Sequence, residues 1–395
     1  MDNTENRVHP LSIFLIFLRL GLTSFGGPVA HLGYFREEFV NRRKWLSDAN
    51  YADLVALCQF LPGPASSQVG IALGVTRSGY SGALAAWVGF TLPSALMMTL
   101  TALGLAHFGD SIPLSVLQGL KIAAVAIVAH ALWGMAQSLC RGKAKTLLML
   151  LSALTVLLLP VTWGQVAVIG IAAIVGRFLF KTEPQLQQTH FHVPISQRSG
   201  VLWLVLFLAL LLALPTLQFF FPQQWLAVVD AFYRAGALVF GGGHVVLPLL
   251  QSEVVATGWV SETTFLAGYG TAQAVPGPLF TFAAFLGASI NGWAGALLCL
   301  VAMFLSSFLL VFGALPFWQT LRTNTTMQAS LSAVNAAVVG LLLAAFYNPV
   351  WTSSITNAQS LALALAAFIA LKYWKLSPWL LVLLCGFISW VITLL

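Results

Sequence analysis

Charge is what this sequence has least of. Only 7% of its 395 residues are Asp, Glu, Lys or Arg, while 59% are hydrophobic. A soluble domain usually carries about a quarter charged residues, and a fold of this size could not cover its surface in water with so few. Lipid is the solvent such a chain suits. Acids are scarcer than bases, 11 against 18, giving a formal net charge of +7. With bases placed between apolar runs, that excess reads as a topology signal, and nucleic acid is not an expected partner. The four cysteines, Cys58, Cys140, Cys299 and Cys385, show no CxxC spacing. They are expected as small core residues, neither disulfides nor metal ligands.

Motifs for covalent chemistry are missing too. There is no GxxxxGK[ST], so no ATPase site, and no HExxH, GxSxG or kinase signature. An enzyme is not expected, and neither is a cofactor or a metal. His190 and His192 fall in the polar linker from Lys181 to Ser199 and read as a solvated loop. The polar start, Met1 to Pro10, precedes an apolar run that holds Arg19 and no small-x-small cleavage site, the pattern of an uncleaved first span.

What the chain has in abundance is apolar runs. Leu147 to Pro160, Val201 to Leu214 and Leu361 to Leu371 with their flanks approach the roughly 20 residues that cross a bilayer as a helix. They do not alternate as barrel strands would, and helices satisfy their own backbone in lipid.

The runs are organised by an internal repeat. Phe17-Leu18-Arg19-Leu20-Gly21 leading to Phe25-Gly26-Gly27 returns as Phe232-Tyr233-Arg234-Ala235-Gly236 leading to Phe240-Gly241-Gly242. Glu38 then meets Glu253, Trp45 meets Trp259, Gln59 meets Gln273, and Pro62-Gly63-Pro64 meets Pro276-Gly277-Pro278. Arg42-Arg43-Lys44 precedes the first Trp, whereas Ala256-Thr257-Gly258 precedes the second. Basic loops mark the cytoplasmic side, so the two copies are expected in opposite orientation, as in many secondary transporters. The expected fold is an all-α polytopic membrane protein of two inverted-topology repeats with broken or re-entrant helices. The N-terminal repeat covers 1–145, connecting spans and a cytoplasmic linker 146–224, the inverted C-terminal repeat 225–350, and two last spans 351–395. About 12 to 14 spans or re-entrant pieces are expected, with the N-terminus cytoplasmic and the C-terminus periplasmic.

Two motifs break helices in both halves. They are Phe25-Gly26-Gly27 with Phe240-Gly241-Gly242, and Pro62-Gly63-Pro64 with Pro276-Gly277-Pro278. Gly costs about 1 kcal/mol and Pro about 3 inside a helix. Paired breaks at matching positions point to a transporter site, and each freed helix start offers N–H groups to an anion. Packing kinks are the plainer reading of either motif alone. Arg19 and Arg234 sit in apolar helix patterns, and guanidinium suits a tetrahedral oxyanion; a buried salt bridge or snorkelling is the alternative. Gln59, Gln273 and Ser66 could add donors, and Lys121, aligned with Asn335, a positive charge. Glu38 and Glu253 are candidates for coupling protons. His31 and His244 do not align and are expected to pack.

The duplicated Phe-Gly-Gly and Pro-Gly-Pro blocks, the phrase Gly241-Gly242-Gly243-His244-Val245-Val246-Leu247-Pro248, the run Val334 to Leu341 and Tyr347-Asn348-Pro349 resemble the chromate transporter family in its long, two-domain form. The resemblance covers roughly Leu11 to Trp351. It implies export of chromate across a bacterial inner membrane, driven by membrane potential or proton gradient, and chromate resistance. Sulfate is the related oxyanion, and sulfate or another oxyanion taken up or exchanged is the alternative. Membrane lipid and a second copy, as a homodimer, are the other partners considered. One departure is Ser306, which stands where Pro93 lies in the first half.

Overall fold

The computed structural model describes residues 8–24, 27–108, 114–158, 164–180, 194–239, 246–318, 320 and 324–392. All regular structure among them is helical: no described residue lies in a strand. In chain order the helices are α1 (Pro10–Thr23), α2 (Gly27–Arg36), α3 (Asp48–Phe60), α4 (Ala65–Phe108), α5 (Leu114–Leu139), α6 (Lys143–Leu158), α7 (Gly164–Leu179), α8 (Gln197–Phe220), α9 (Gln224–Leu238), α10 (Val246–Val254), α11 (Glu262–Ala274), α12 (Phe282–Ala314), α13 (Thr325–Ala345), α14 (Ala358–Lys372) and α15 (Pro378–Ile392). Among the described residues, five stretches are long and apolar enough to cross a membrane: Ala65–Ala106, Gln118–Gln137, Gln197–Phe220, Leu279–Phe317 and Thr325–Asn348.

Two of these helices are too long to be single spans. The 44 residues of α4 would run about 66 Å at 1.5 Å per residue, against a hydrocarbon core of about 30 Å. The backbone divides it at Ser78 and Gly79, where Gly79 has φ 60. In α12 the division falls at Asn291 and Gly292, with φ 54 at Gly292. Left-handed backbone of this kind is easy only for glycine. Pro93 and Ser306 both lie within continuous helix, so the departure noted at Ser306 moves no break.

The chain gathers into two compact units, each drawing on both halves of the sequence. The first comprises Met1–Leu103, Leu186–Gly243 and Val275–Thr320. Its core holds Phe17, Phe35, Phe39 and Phe90, with ring centroids 5.1 Å apart for Phe17–Phe39 and for Phe35–Phe90. Helix α9 packs on α8 and α12, and the buried Tyr233 hydroxyl donates to the Phe207 carbonyl of α8. At one end of this unit Val8 N–H donates to the Arg77 carbonyl, and the Arg77 guanidinium both donates to the Trp45 carbonyl and stacks over the Trp45 ring.

The second unit comprises Gly104–Gln185, His244–Ala274 and Leu321–Leu395. Small residues let its helices approach closely, as is usual for helices in lipid. Gly340 of α13 lies against the Met149 carbonyl of α6, and Gly119 of α5 against the Cys385 carbonyl of α15. One end of this unit is basic: Lys145 lies over the Phe180 ring, and Lys372 lies 4.4 Å from the Trp133 ring centroid. The four cysteines are free and buried.

Candidate functional site

Both Pro-Gly-Pro segments stand in the first unit as sharp turns that separate helices. Gly63 has φ 117 and Gly277 φ 96. Each turn is tied to the end of a helix in the other half. Gly63 N–H donates to the Val239 carbonyl just after α9, and Gly277 N–H donates to the Ser24 carbonyl just after α1. The side contacts are crossed in the same way. A methyl group placed on Gly63 would stand 2.9 Å from Ser307 Oγ of α12, and one on Gly277 would stand 2.8 Å from Ser94 Oγ of α4. The expectation that these two glycine N–H groups face an anion is therefore corrected, because both are spent on backbone carbonyls.

Around the turns lies a buried polar cluster. Ser24, His31, Ser66, Ser67, Gln68, Thr91, Ser94 and Ser307 are each at most 3% exposed. Gln68 Nε2 donates to the Pro62 carbonyl at 2.6 Å, and His31 Nδ1 lies 3.4 Å from Ser66 Oγ. Six atoms have no hydrogen-bond partner among the described residues: Ser24 Oγ, His31 Nε2, Ser67 Oγ, Gln68 Oε1, Thr91 Oγ1 and Ser307 Oγ. Buried polar atoms are nearly always satisfied, and leaving one unpaired costs about 1–3 kcal/mol. Four of the six are hydroxyls, able to donate. The first turn of α4 adds N–H groups that a helix start leaves without intrahelical partners; of these residues Gln68 N–H bonds to the Pro64 carbonyl. A concentration of donors with so little counter-charge is suited to an anion.

The other expected residues are placed unevenly. Arg19 is exposed, because α1 buries the face made by Ile13, Ile16, Phe17, Leu20 and Gly21 and turns Arg19 outward with Leu15 and Leu22. Arg19 therefore does not lie on the buried face of α1. Arg234 is largely buried and its Nε and Nη2 both lie 2.9 Å from Asp230 Oδ2. Asp230, 4% exposed, was not singled out from the sequence; its counterpart in the first half is Leu15, although the i,i+4 spacing to Arg234 was there to be read. Gln59 is exposed, while Gln273 is partly buried on α11. Phe25, Gly26, Phe240, Gly241 and Gly242 lie outside the described residues, as do His190, His192 and His244; Gly27 opens α2 with φ 78.

The candidate coupling acids also differ. Glu38 is buried in the turn after α2 and pairs with Arg43 at 2.7 Å and Arg42 at 3.3 Å. Burial alone would raise its carboxyl, but hydrogen bonds and charge from Arg43 and Arg42 outweigh that and hold it below the ordinary value. A carboxylate held this way is a strut, which counts against a proton-carrying role for Glu38. Glu253 is partly buried at the end of α10, and its carbonyl accepts from Thr257. In the second unit Lys121 Nζ lies 2.8 Å from Glu262 Oε2, and Asn335 is buried on α13. Glu262 is a partner the sequence did not reveal, because 141 residues separate the two.

Comparison with known proteins adds the chemistry. The family model described as chromate transporter matches residues 11–177 and 226–390. A chromate transport protein of Cupriavidus metallidurans is 28% identical over 92% of this chain and 88% of that protein. One of Pseudomonas aeruginosa is 28% identical over 98% and 94%. An uncharacterized transporter of Methanocaldococcus jannaschii is 28% identical over 87% and 85%. No solved structure matches the chain.

Proposed function

The chain belongs to the chromate transporter family, and from that premise we propose that it exports chromate across a bacterial inner membrane, driven by the membrane potential or a proton gradient, and so confers chromate resistance. Membership makes it a multi-pass membrane transporter of chromate rather than an enzyme. The observation that carries the binding site is the buried cluster of unpartnered hydroxyls at the crossed Pro-Gly-Pro turns. Ser24, Ser66, Ser67 and Ser307 donate to the oxyanion. The start of α4 and Arg234 supply the positive field.

The two halves act as inverted repeats that expose the site to alternate sides. Equivalent backbone breaks at Gly79 and Gly292 and the reciprocal bonds of Gly63 and Gly277 support this. The basic segments Arg42-Arg43-Lys44, Arg141 to Lys145 and Lys372 to Lys375 face the cytoplasm, as basic loops do. The C-terminus then lies in the periplasm. An inside-negative potential helps expel an anion by about 2.3 kcal/mol per charge per 100 mV.

The test is chromate accumulation in everted vesicles from a sensitive host. Wild-type protein gives saturable uptake. Ser66→Ala, Ser67→Ala and Ser307→Ala each raise KM by about tenfold or more, since a hydrogen bond to a charged group is worth about 1.5–3 kcal/mol. Unchanged KM in all three overturns the site, and uptake that never saturates overturns the carrier.

A further inference from the structure

The anion cluster contains one ionisable side chain, a buried imidazole, and the proposal above gives it no part. His31 is 1% exposed. Its ring stands edge-on to Phe90 with centroids 5.3 Å apart. Nδ1 lies 3.4 Å from Ser66 Oγ, and Nε2 is buried with no partner among the described residues. Ser66 is the second residue of α4 and is followed directly by Ser67 and Gln68, two of the unpartnered groups. We infer that His31 takes up a proton when the oxyanion binds, so that anion and proton occupy the site together; of the two driving forces proposed above this selects the membrane potential, because a proton carried outward runs against an inward gradient.

The reasoning is electrostatic and rests on the oxyanion reading of this cluster. A cationic imidazole so deeply buried is costly without a counter-charge, so the empty site holds the ring neutral. In the tautomer with Nδ1–H directed at Ser66, Nε2 carries a lone pair that no donor reaches, and the Ser24 carbonyl faces the ring as an acceptor for the protonated form. A dianion among the Ser66, Ser67 and Ser307 hydroxyls supplies the missing counter-charge. A hydrogen ion from the aqueous phase then forms an N–H bond at Nε2, and no other bond breaks. The new N–H is a charge-assisted donor facing the cluster.

Most other ionisable groups on the elements around His31 are occupied or directed elsewhere, Tyr34 and Glu37 among them as exposed residues. Arg19 of α1 points outward. The Tyr51 hydroxyl of α3 donates to the Leu32 carbonyl. Arg36 pairs with Asp48, and Glu38 with Arg42 and Arg43. Arg77 of α4 is spent on Trp45. Asp53 and Cys58 are the remaining ionisable side chains of α3.

Linkage fixes the sign. If binding the anion favours the proton, lowering the pH must tighten anion binding, by up to tenfold per pH unit while the free ring is neutral and the bound ring charged. The test uses the full chain in nanodiscs with chromate as the probe. Proton uptake on chromate addition is followed with a pH dye, and the dissociation constant is measured across pH, for wild type, His31→Gln and His31→Asn. Protonation of chromate itself is common to all three and cancels in the comparison. Wild type should take up close to one proton more per bound chromate than either variant and should show the steeper pH dependence.

Equal uptake and equal pH dependence overturn the inference. So does wild-type protein that binds chromate with no uptake beyond that of chromate alone, a result that needs no variant. The site reading is judged separately. If the Ser66→Ala and Ser307→Ala double variant binds chromate as tightly as wild type at every pH, the cluster is not the site, and the role of His31 falls with it.

Discussion

Gly63 and Val239 join the two halves of the chain through one backbone hydrogen bond of 2.5 Å, and Gly277 and Ser24 repeat the bond in mirror order. Each turn thus closes over the helix end of the opposite copy. The geometry needs glycine twice over, for the positive φ and for the room. A Cβ at Gly63 would stand 2.6 Å from Gln68 Nε2 and 2.9 Å from Ser307 Oγ. One at Gly277 would stand 2.8 Å from Ser94 Oγ.

Gly63→Ala and Gly277→Ala should therefore each destabilise the protein by about 1–3 kcal/mol, the usual cost of forcing a side chain into sparsely populated backbone. Thermal unfolding in detergent reads the loss. The two variants should be alike, because the two turns are built alike. Transport should fall further than stability does, since both turns border the hydroxyl cluster. A Gly63→Ala protein as stable as wild type would remove the steric argument.

Glu38 gives a pH prediction. Its folded carboxyl is held below the ordinary value near 4.5 by Arg43 and Arg42 against the opposing effect of burial. A depressed carboxyl stabilises the fold above its unfolded value, and that contribution disappears as pH falls through the folded value. Thermal stability should drop below about pH 4.5 more steeply in wild type than in Glu38→Gln. Near pH 7 the variant should be the less stable of the two. Parallel curves from pH 7 downward would show that the two arginines do not hold the carboxylate.

How much of this was legible follows from which signals are local. Gly and Pro disrupt helices wherever they stand, so Pro62-Gly63-Pro64 and Pro276-Gly277-Pro278 could be read as turns, and the low charge fixed a helical membrane fold. The facing of a side chain is local too, and the spacing of Ile13, Ile16, Phe17 and Leu20 already places Arg19 on the opposite side of α1; the apparent match with Arg234 obscured it. Long-range pairing is another matter. Nothing in the sequence distinguishes an N–H that meets an anion from one that meets Val239, and nothing local joins Lys121 to Glu262. His31 was set aside for having no counterpart, yet the cluster it joins draws unequally on the two halves.

The Lys121–Glu262 pair can be weighed by a double-mutant cycle. The side chains are 15% and 30% exposed, between the fully buried case, where removing one partner costs about 3–5 kcal/mol, and the surface case, at about 0–1. Glu262→Gln and Lys121→Met should each cost about 1–3 kcal/mol. The double variant should cost less than their sum by about 1 kcal/mol or more. Strict additivity in thermal unfolding would mean that the two charges do not interact in the membrane.

The two arginines, alike in sequence register, should behave differently. Arg19 is exposed on α1, so Arg19→Gln should leave chromate KM within about twofold, as substitutions away from buried networks change little. Arg234→Gln strips the guanidinium from Asp230, a carboxylate 4% exposed, and breaking a buried pair costs about 3–5 kcal/mol. Lost transport in that variant alone could reflect lost folding. Arg234→Gln combined with Asp230→Asn removes both charges and should recover most of the stability. If Arg234 supplies the field that holds the oxyanion, the double variant unfolds near the wild-type temperature yet transports chromate at least tenfold less well. If it recovers transport along with stability, Arg234 serves only to neutralise Asp230, and the positive field must come from the helix start at Ala65 and the groups beside it.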